Sequence, residues 1–219
     1  MGRLSLDQQR NGMVDTQIVA RGIRDPRVLA AMRDVPRHLF VPEKFRARAY
    51  EDHPVPIGCG QTISQPYIVA IMTELLAVTP GDHILEIGAG SGYQAAILAR
   101  LAASVVSVER HEVLAEQAQA CLEELGCTNA TVVCGDGSLG YPEAAPYDAI
   151  IVTAACPHVP PALKEQLCPG GRLVCPTGSR DLQQLLSIVR EEDGFVTTQS
   201  IRCVFVPLIG AQGWPSGEA

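Results

Sequence analysis

The residues best able to do chemistry lie in one run, Glu86-Ile-Gly88-Ala-Gly90-Ser-Gly92, directly after the short apolar stretch 83–87. Three alternate glycines at such a turn let backbone approach a ligand where side chains would collide. The spacing is G-x-G-x-G, and Tyr93 stands where the dinucleotide fingerprint needs its last glycine, so a pyrophosphate-holding loop is disfavoured. Glu86 would repel a phosphate and attract a cation. Glu109 ends the next apolar run, about 20 residues on, where α/β nucleotide folds place a carboxylate on the ribose hydroxyls. Asp136, in Cys134-Gly-Asp136-Gly137, ends a third run, and a short acid followed by glycine can accept from an adenine amino group. Each acid alone reads equally well as a cap or turn residue. Three at consecutive strand ends, beside the glycines, point to S-adenosylmethionine, with ribose and adenine on two acids and the sulfonium and ammonium near the first.

Those acids need strands to carry them. Strands are predicted at 83–87, 104–108, 130–134 and 148–153, with helices at 91–102, 112–125 and 160–167, the last stopped by Pro169-Gly-Gly. Strands at 172–175, 184–190 and 200–206 follow. This alternation predicts an α/β fold with a doubly wound, mostly parallel sheet. The last two strands, joined through 191–194, predict an antiparallel C-terminal edge. Ahead of the sheet, 5–50 has helical periodicity, with Asp25-Pro26 as an N-cap and first-turn proline. Residues 54–65 read as irregular, broken by Pro54, Pro56, Gly58 and Gly60, and a helix is expected from Pro66 to about Ala77. The expected organisation is one continuous structural domain. Residues 1–80 form a helical and loop segment packed on the core, contributing to the substrate site, and 81–219 form the ligand-binding α/β core.

Composition narrows the function classes. The chain has 219 residues, 47% hydrophobic and 19% charged, which excludes a disordered chain, a collagen and a coiled coil. The net charge of -7 and the interleaving of Lys44, Arg46 and Arg48 with Glu43, Glu51 and Asp52 argue against a nucleic-acid partner. No uncharged apolar run reaches ~18 residues, so neither a membrane span nor a secretory signal is expected. Eight cysteines without a CxxC pair read as buried, reduced thiols in a cytoplasmic protein. A reactive role for Cys59 would need a base partner. The five histidines show no ligand spacing, so no metal site is expected.

Longer motifs carry a resemblance. Pro36-Arg-His-Leu-Phe-Val-Pro42, Ala49-Tyr-Glu-Asp52, Pro56-Ile-Gly58, Gly60-Gln-Thr-Ile-Ser-Gln-Pro-Tyr67 and Leu85-Glu-Ile-Gly-Ala-Gly-Ser-Gly-Tyr-Gln-Ala95 resemble protein-L-isoaspartate (D-aspartate) O-methyltransferases. So do Gly135-Asp-Gly137, the segment 147–155, Pro169-Gly-Gly-Arg-Leu-Val174 and Phe205-Val-Pro-Leu208. The similarity runs from about residue 13 to 208, and Gln61-Thr-Ile-Ser64-Gln-Pro66 is its most selective part. It implies a Rossmann-like class I methyltransferase fold and methyl transfer from S-adenosylmethionine to isoaspartyl or D-aspartyl carboxylates of damaged proteins, as a monomer. It implies cofactor contacts at Thr62, Ile63, Ser64, Glu86, Gly88, Ala89, Gly90, Glu109, Arg110, Asp136 and Gly137. Substrate contacts fall at Ile63, Ser64, Gln65 and Tyr67, and Ser64 takes the active-site position.

A carboxylate acceptor is already ionised at neutral pH and needs no general base. Ser64 then serves by orienting it through one hydrogen bond; a serine capping the helix at Pro66 is the other reading. Tyr67 either covers the substrate or packs, and Trp214 either folds over the site or frays with the tail. Two alternatives stay open: a class I methyltransferase with a small-molecule acceptor, and a non-catalytic S-adenosylmethionine-binding scaffold.

Overall fold

The computed structural model describes residues 4–216; the outer ends of the two expected segments and of the tail lie outside the described residues. Helix α1 (Leu6–Met13) opens with a capping box between Ser5 and Gln8. It continues through a π turn, Val14–Ile18, to a stop at Gly22, whose φ is 98°. Helix α2 (Pro26–Asp34) starts as the sequence predicts: the Asp25 side chain accepts from the Arg27 N–H, and Pro26 occupies the first turn. Met13, Val28 and Met32 share one buried apolar cluster with Ile84, Tyr93 and Val105, so the N-terminal helices complete the core of the sheet.

Residues 54–65 are not irregular. Strands β1 (Val55–Gly58) and β2 (Gln61–Ile63) form an antiparallel hairpin with Val55 opposite Ile63, both buried. Gly58 and Gly60, read as breakers, are the turn itself, at φ 107° and 70°, with Cys59 at 50° between them. Helix α3 (Pro66–Leu76) follows.

The main sheet comprises β3 (His83–Ile87), β4 (Ser104–Glu109), β5 (Ala130–Cys134), β6 (Tyr147–Val152), β7 (Leu167–Gly178), β8 (Gln183–Glu191) and β9 (Gly194–Cys203). Its order is β5-β4-β3-β6-β7-β8-β9. The first five strands are parallel and the last two antiparallel, as expected. Helices α4 (Tyr93–Ala99), α5 (Glu112–Glu124) and α6 (Pro161–Glu165) connect the parallel strands. Helix α4 is shorter than the predicted 91–102 because the glycine loop runs on through Gly92 before the first helical turn.

Two further boundaries differ from expectation. β7 passes straight through Pro169-Gly-Gly, where a break is predicted. A register shift absorbs the extra residues: Leu167 faces Tyr147, and Arg172 faces Ala149. β9 begins at Gly194, not at 200, because an exposed edge strand needs no apolar alternation to mark it. Four cysteines are buried (Cys127, Cys156, Cys175, Cys203) and Cys121 and Cys168 are half-buried, but Cys59 and Cys134 are exposed, contrary to expectation. Cys59 tips the hairpin turn and Cys134 ends the outermost parallel strand.

Candidate active site

The C-terminal ends of β3, β4 and β6 open into one cleft that is partly open to solvent. It is walled on the remaining sides by β2 with Ser64, by Val69 and Met72 of α3, and by residues 206–209. β3, β4 and β6 deliver their last residues, or those just beyond, here because the sheet order changes direction at β3.

Glu86, next to last in β3, is fully buried. Ser107 donates to its Oε2 at 2.5 Å, while Oε1 has no partner among the described residues. Burial pushes its carboxyl up to about 8, against the Ser107 hydrogen bond and with a smaller push from Glu109. A buried acid with an orphaned oxygen on a cleft wall is a receptor for a cationic group. Glu109 closes β4 and accepts the N–H of Gly90 at 2.9 Å and of His111 at 3.0 Å, tying the glycine loop to the neighbouring strand.

The glycines answer protein neighbours as well as ligand space. A Cβ on Gly88 would stand 2.5 Å from Thr153 Oγ1, and one on Gly92 3.2 Å from the Ala118 side chain. Thr153 in turn donates to the Gly88 carbonyl at 2.6 Å. The loop is thus clamped from β6 and α5 at once.

From β2 and the residue after it, Thr62, Ile63 and Ser64 reach the cleft. Gln65 takes the N-cap position of α3 with no side-chain cap, so the helix does not use the Ser64 hydroxyl as its cap. Gln65 instead donates to Asp52, which pairs with Arg21, and Arg21 lies over the Tyr67 ring, its Cζ 5.0 Å from the ring centroid. These contacts brace the Ser64 loop from behind.

The structure therefore brings Thr62, Ile63, Ser64, Glu86, Gly88, Ala89, Gly90, Glu109, Arg110 and Gly137 onto one surface. Asp136, Gln65 and Tyr67 are not among the lining residues. Asp136 accepts from Ser138 N–H at 2.9 Å, Ser138 Oγ at 2.7 Å and Ala211 N–H at 2.7 Å, so its carboxylate holds chain to chain. Sequence reasoning missed Thr153 and Ala154 at the end of β6, and Val206–Ile209. Thr153 had a readable signal, its place at the C-terminal end of a predicted strand. Residues 206–208 stand out in the sequence only within the Phe205-Val-Pro-Leu208 motif, and the pairing of Ala155 with Val206 and Leu208 is what brings them to the cleft. Trp214 neither frays nor lines the cleft: its backbone N–H donates to the Leu208 carbonyl at 2.7 Å.

Residues 8–213 match the family described as protein-L-isoaspartate(D-aspartate) O-methyltransferase. A protein-L-isoaspartate O-methyltransferase of Methanoculleus marisnigri is 58% identical over 94% of this chain and 94% of its own. A solved protein-L-isoaspartate O-methyltransferase superposes with a TM-score of 0.84 at 31% identity, over 93% of this chain and 67% of that one. A Plasmodium falciparum structure, described as a putative protein-L-isoaspartate O-methyltransferase in complex with S-adenosyl-L-homocysteine, gives 0.80 at 25% identity, covering 91% and 98%. With its strand-end carboxylates, clamped glycine loop and Ser64 loop facing one cleft, the chain belongs to the protein-L-isoaspartate(D-aspartate) O-methyltransferase family.

Proposed function

We propose that the protein transfers the methyl group of S-adenosylmethionine to the carboxylate of L-isoaspartyl, and D-aspartyl, residues in damaged proteins. The resulting ester closes to a succinimide without enzyme help, and that ring reopens in part to normal aspartate. The observation that carries the reading is the meeting, in one cleft, of two acidic strand ends with the hydroxyl-bearing residue that follows β2.

The residues fit the cofactor. Glu86 with its orphaned oxygen suits the ammonium and sulfonium side, Glu109 the ribose hydroxyls, and the backbone of Gly88–Gly90 the close approach between them. When bound, S-adenosylmethionine supplies an electrophilic methyl on a positively charged sulfur. The chain's own task is placement. Thr62 and Ile63 separate the two halves of the cleft, and Ser64 donates to one acceptor oxygen, leaving the other free to attack in line. Val206–Ile209 and Ile63 exclude water from the junction. Gln65 and Tyr67 act at the acceptor side through the loop they brace. Asp136 acts at the adenine end through Gly137, which does reach the cleft.

Action as a monomer is part of the same proposal. The 4–80 segment and the sheet share one apolar cluster, which supports a single structural domain. Eight free thiols support a cytoplasmic setting. No helix among the described residues is long and apolar enough to cross a membrane.

The test is methyl transfer to two peptides that differ only in carrying isoaspartate or aspartate, read as base-labile methyl ester. Label is expected on the isoaspartyl peptide alone. Ser64→Ala should lower kcat/KM by roughly 10–100-fold, the worth of one hydrogen bond to a charged group. Tight cofactor binding with neither peptide labelled would mean a different acceptor.

A further inference from the structure

Arg37 is the largest fully buried side chain of the protein, with no exposed surface. Its Nε donates to the Ala49 carbonyl and its Nη2 to the Ser64 carbonyl, each at 2.7 Å. Its Cζ lies 5.0 Å from the centroid of the Tyr93 ring, and Nη1 has no hydrogen-bond partner. No carboxylate lies within ion-pair distance of it among the described residues. Burial lowers its pKa to about 10, so it is a full cation at neutral pH.

A buried guanidinium without a counter-ion is expensive, since desolvation of one charge costs several kcal/mol. Holding two carbonyls does not require it; a neutral amide or a water would serve. Both residues it touches at the cleft, Ser64 and Tyr93, line the cleft. Ser64 stands on the acceptor wall, and Tyr93 directly follows the glycine loop. The two buried acids, Glu86 and Glu109, line the same cleft from the ends of β3 and β4. The cleft is thus bipolar, with acids facing the cationic cofactor and one fixed cation behind the loop that receives an anion.

We propose that Arg37 is the positioning residue of the acceptor subsite: it fixes the Ser64 loop against Tyr93 and supplies the positive field that selects an anionic carboxylate over a neutral isostere. This rests on the isoaspartyl reading of the site. The field belongs to the low-dielectric interior, where a charge acts over a longer range than in water. Methyl transfer removes the acceptor's charge, so the same field favours the carboxylate entering over the ester remaining.

The experiment compares the wild-type protein, Arg37→Met and Arg37→Lys. Four quantities are read: KM and kcat for an isoaspartyl peptide, Kd for S-adenosylhomocysteine, inhibition by the matching isoasparaginyl peptide, and the unfolding midpoint. The wild type should prefer the carboxylate peptide to its amide at least tenfold. Arg37→Met should raise KM roughly 10–100-fold, the range for losing one charged partner, and erase the preference for carboxylate over amide, while the cofactor Kd stays within about threefold. Arg37→Lys, which keeps the charge but not the two-carbonyl fork, should retain the preference with a lower kcat. A drop in unfolding midpoint with unchanged KM and unchanged preference would overturn the proposal. If Arg37→Met does not fold, equal wild-type affinity for the carboxylate and amide peptides, or loss of the preference in Arg37→Lys, overturns it. A wild-type protein that binds S-adenosylhomocysteine yet leaves the isoaspartyl peptide unmethylated would bring down the acceptor reading and this inference with it.

Discussion

Glu86 is held where the cleft by itself prefers it protonated and a cationic ligand prefers it charged. The unfolded chain's glutamate titrates at ~4.3, and burial lifts the folded one to about 8. Between those values the unfolded state loses its proton while the folded state keeps it. Stability therefore falls as pH rises through that window and levels off above it. Glu86→Gln, neutral at every pH, should match the wild type near pH 4.5 and exceed it by up to ~5 kcal/mol at pH 8.5, since each tenfold difference in proton affinity is worth ~1.4 kcal/mol. Denaturant titration at the two pH values checks this; a gain equal at both would show that the carboxyl is ionised throughout. The same variant should bind S-adenosylhomocysteine roughly tenfold more weakly at pH 8. Binding to the wild type near pH 7 should release a proton, seen in calorimetry as a dependence on the buffer's ionisation enthalpy. Ser107, whose hydroxyl holds Glu86 at 2.5 Å, gives no sign in the sequence because its partner is a neighbouring strand.

At the level of elements, each strand and helix that presents cofactor-side residues is legible because burial on both faces leaves near-continuous apolar runs at β3, β4 and β6. What escapes is whatever tertiary contacts decide. The β1–β2 hairpin hides behind prolines and glycines that are its turn, and β7 runs through a Pro-Gly-Gly that a register shift accommodates. The glycine loop is legible for one reason and held for two. Gly88 and Gly90 both have positive φ, 96° and 54°, but their surroundings differ. A Cβ at Gly90 meets only Ile57 Cδ1 at 3.4 Å, an ordinary contact, whereas at Gly88 it meets Thr153 Oγ1 at 2.5 Å. Gly90→Ala should therefore cost ~1 kcal/mol, the strain of a left-handed alanine. Gly88→Ala should cost ~3 kcal/mol or more by adding a clash that forces Thr153 off the Gly88 carbonyl. Unfolding midpoints order the two; equal losses would mean Thr153 swings aside freely. Gly88→Ala with Thr153→Ser, which keeps the hydroxyl, should stay destabilised, while Thr153→Ala should partly relieve it.

Across the whole molecule, the segment after β9 returns over the sheet and makes the last wall of the site. Val206 and Leu208 pair with Ala155 beyond β6, each at 2.7 Å. Ala211 donates to Asp136, and Gln212 bridges Ser138 Oγ and the Ala162 N–H. Asp136 is thus the junction between the Gly137 end of the cleft and the returning chain. Burial pushes its carboxyl up, but hydrogen bonds from Ala211 and Ser138, aided by Arg110, outweigh that and hold it below the usual carboxylate value. With its folded pKa depressed, the tether contributes its full stability above the ordinary carboxylate range and is lost as pH falls through the folded value. Asp136→Ala removes the acceptor for both Ser138 and Ala211 and should cost ~1–3 kcal/mol. It should also loosen the 209–213 turn for proteolysis before the sheet unfolds, because Asp136 takes the Ala211 N–H, while Val206, Leu208 and Gln212 keep their bonds to Ala155, Ser138 and Ala162. Limited proteolysis followed by mass determination reads this directly. Saturating S-adenosylhomocysteine should slow cleavage in the wild type, since a ligand at 100 times its Kd adds ~2.7 kcal/mol to the closed form. In Asp136→Ala the protection should shrink, because closing the wall then has to be driven by the ligand alone. Cleavage equally slow in both proteins would mean that the pairing with Ala155 holds the wall without Asp136, and that the acid is free to serve the ligand.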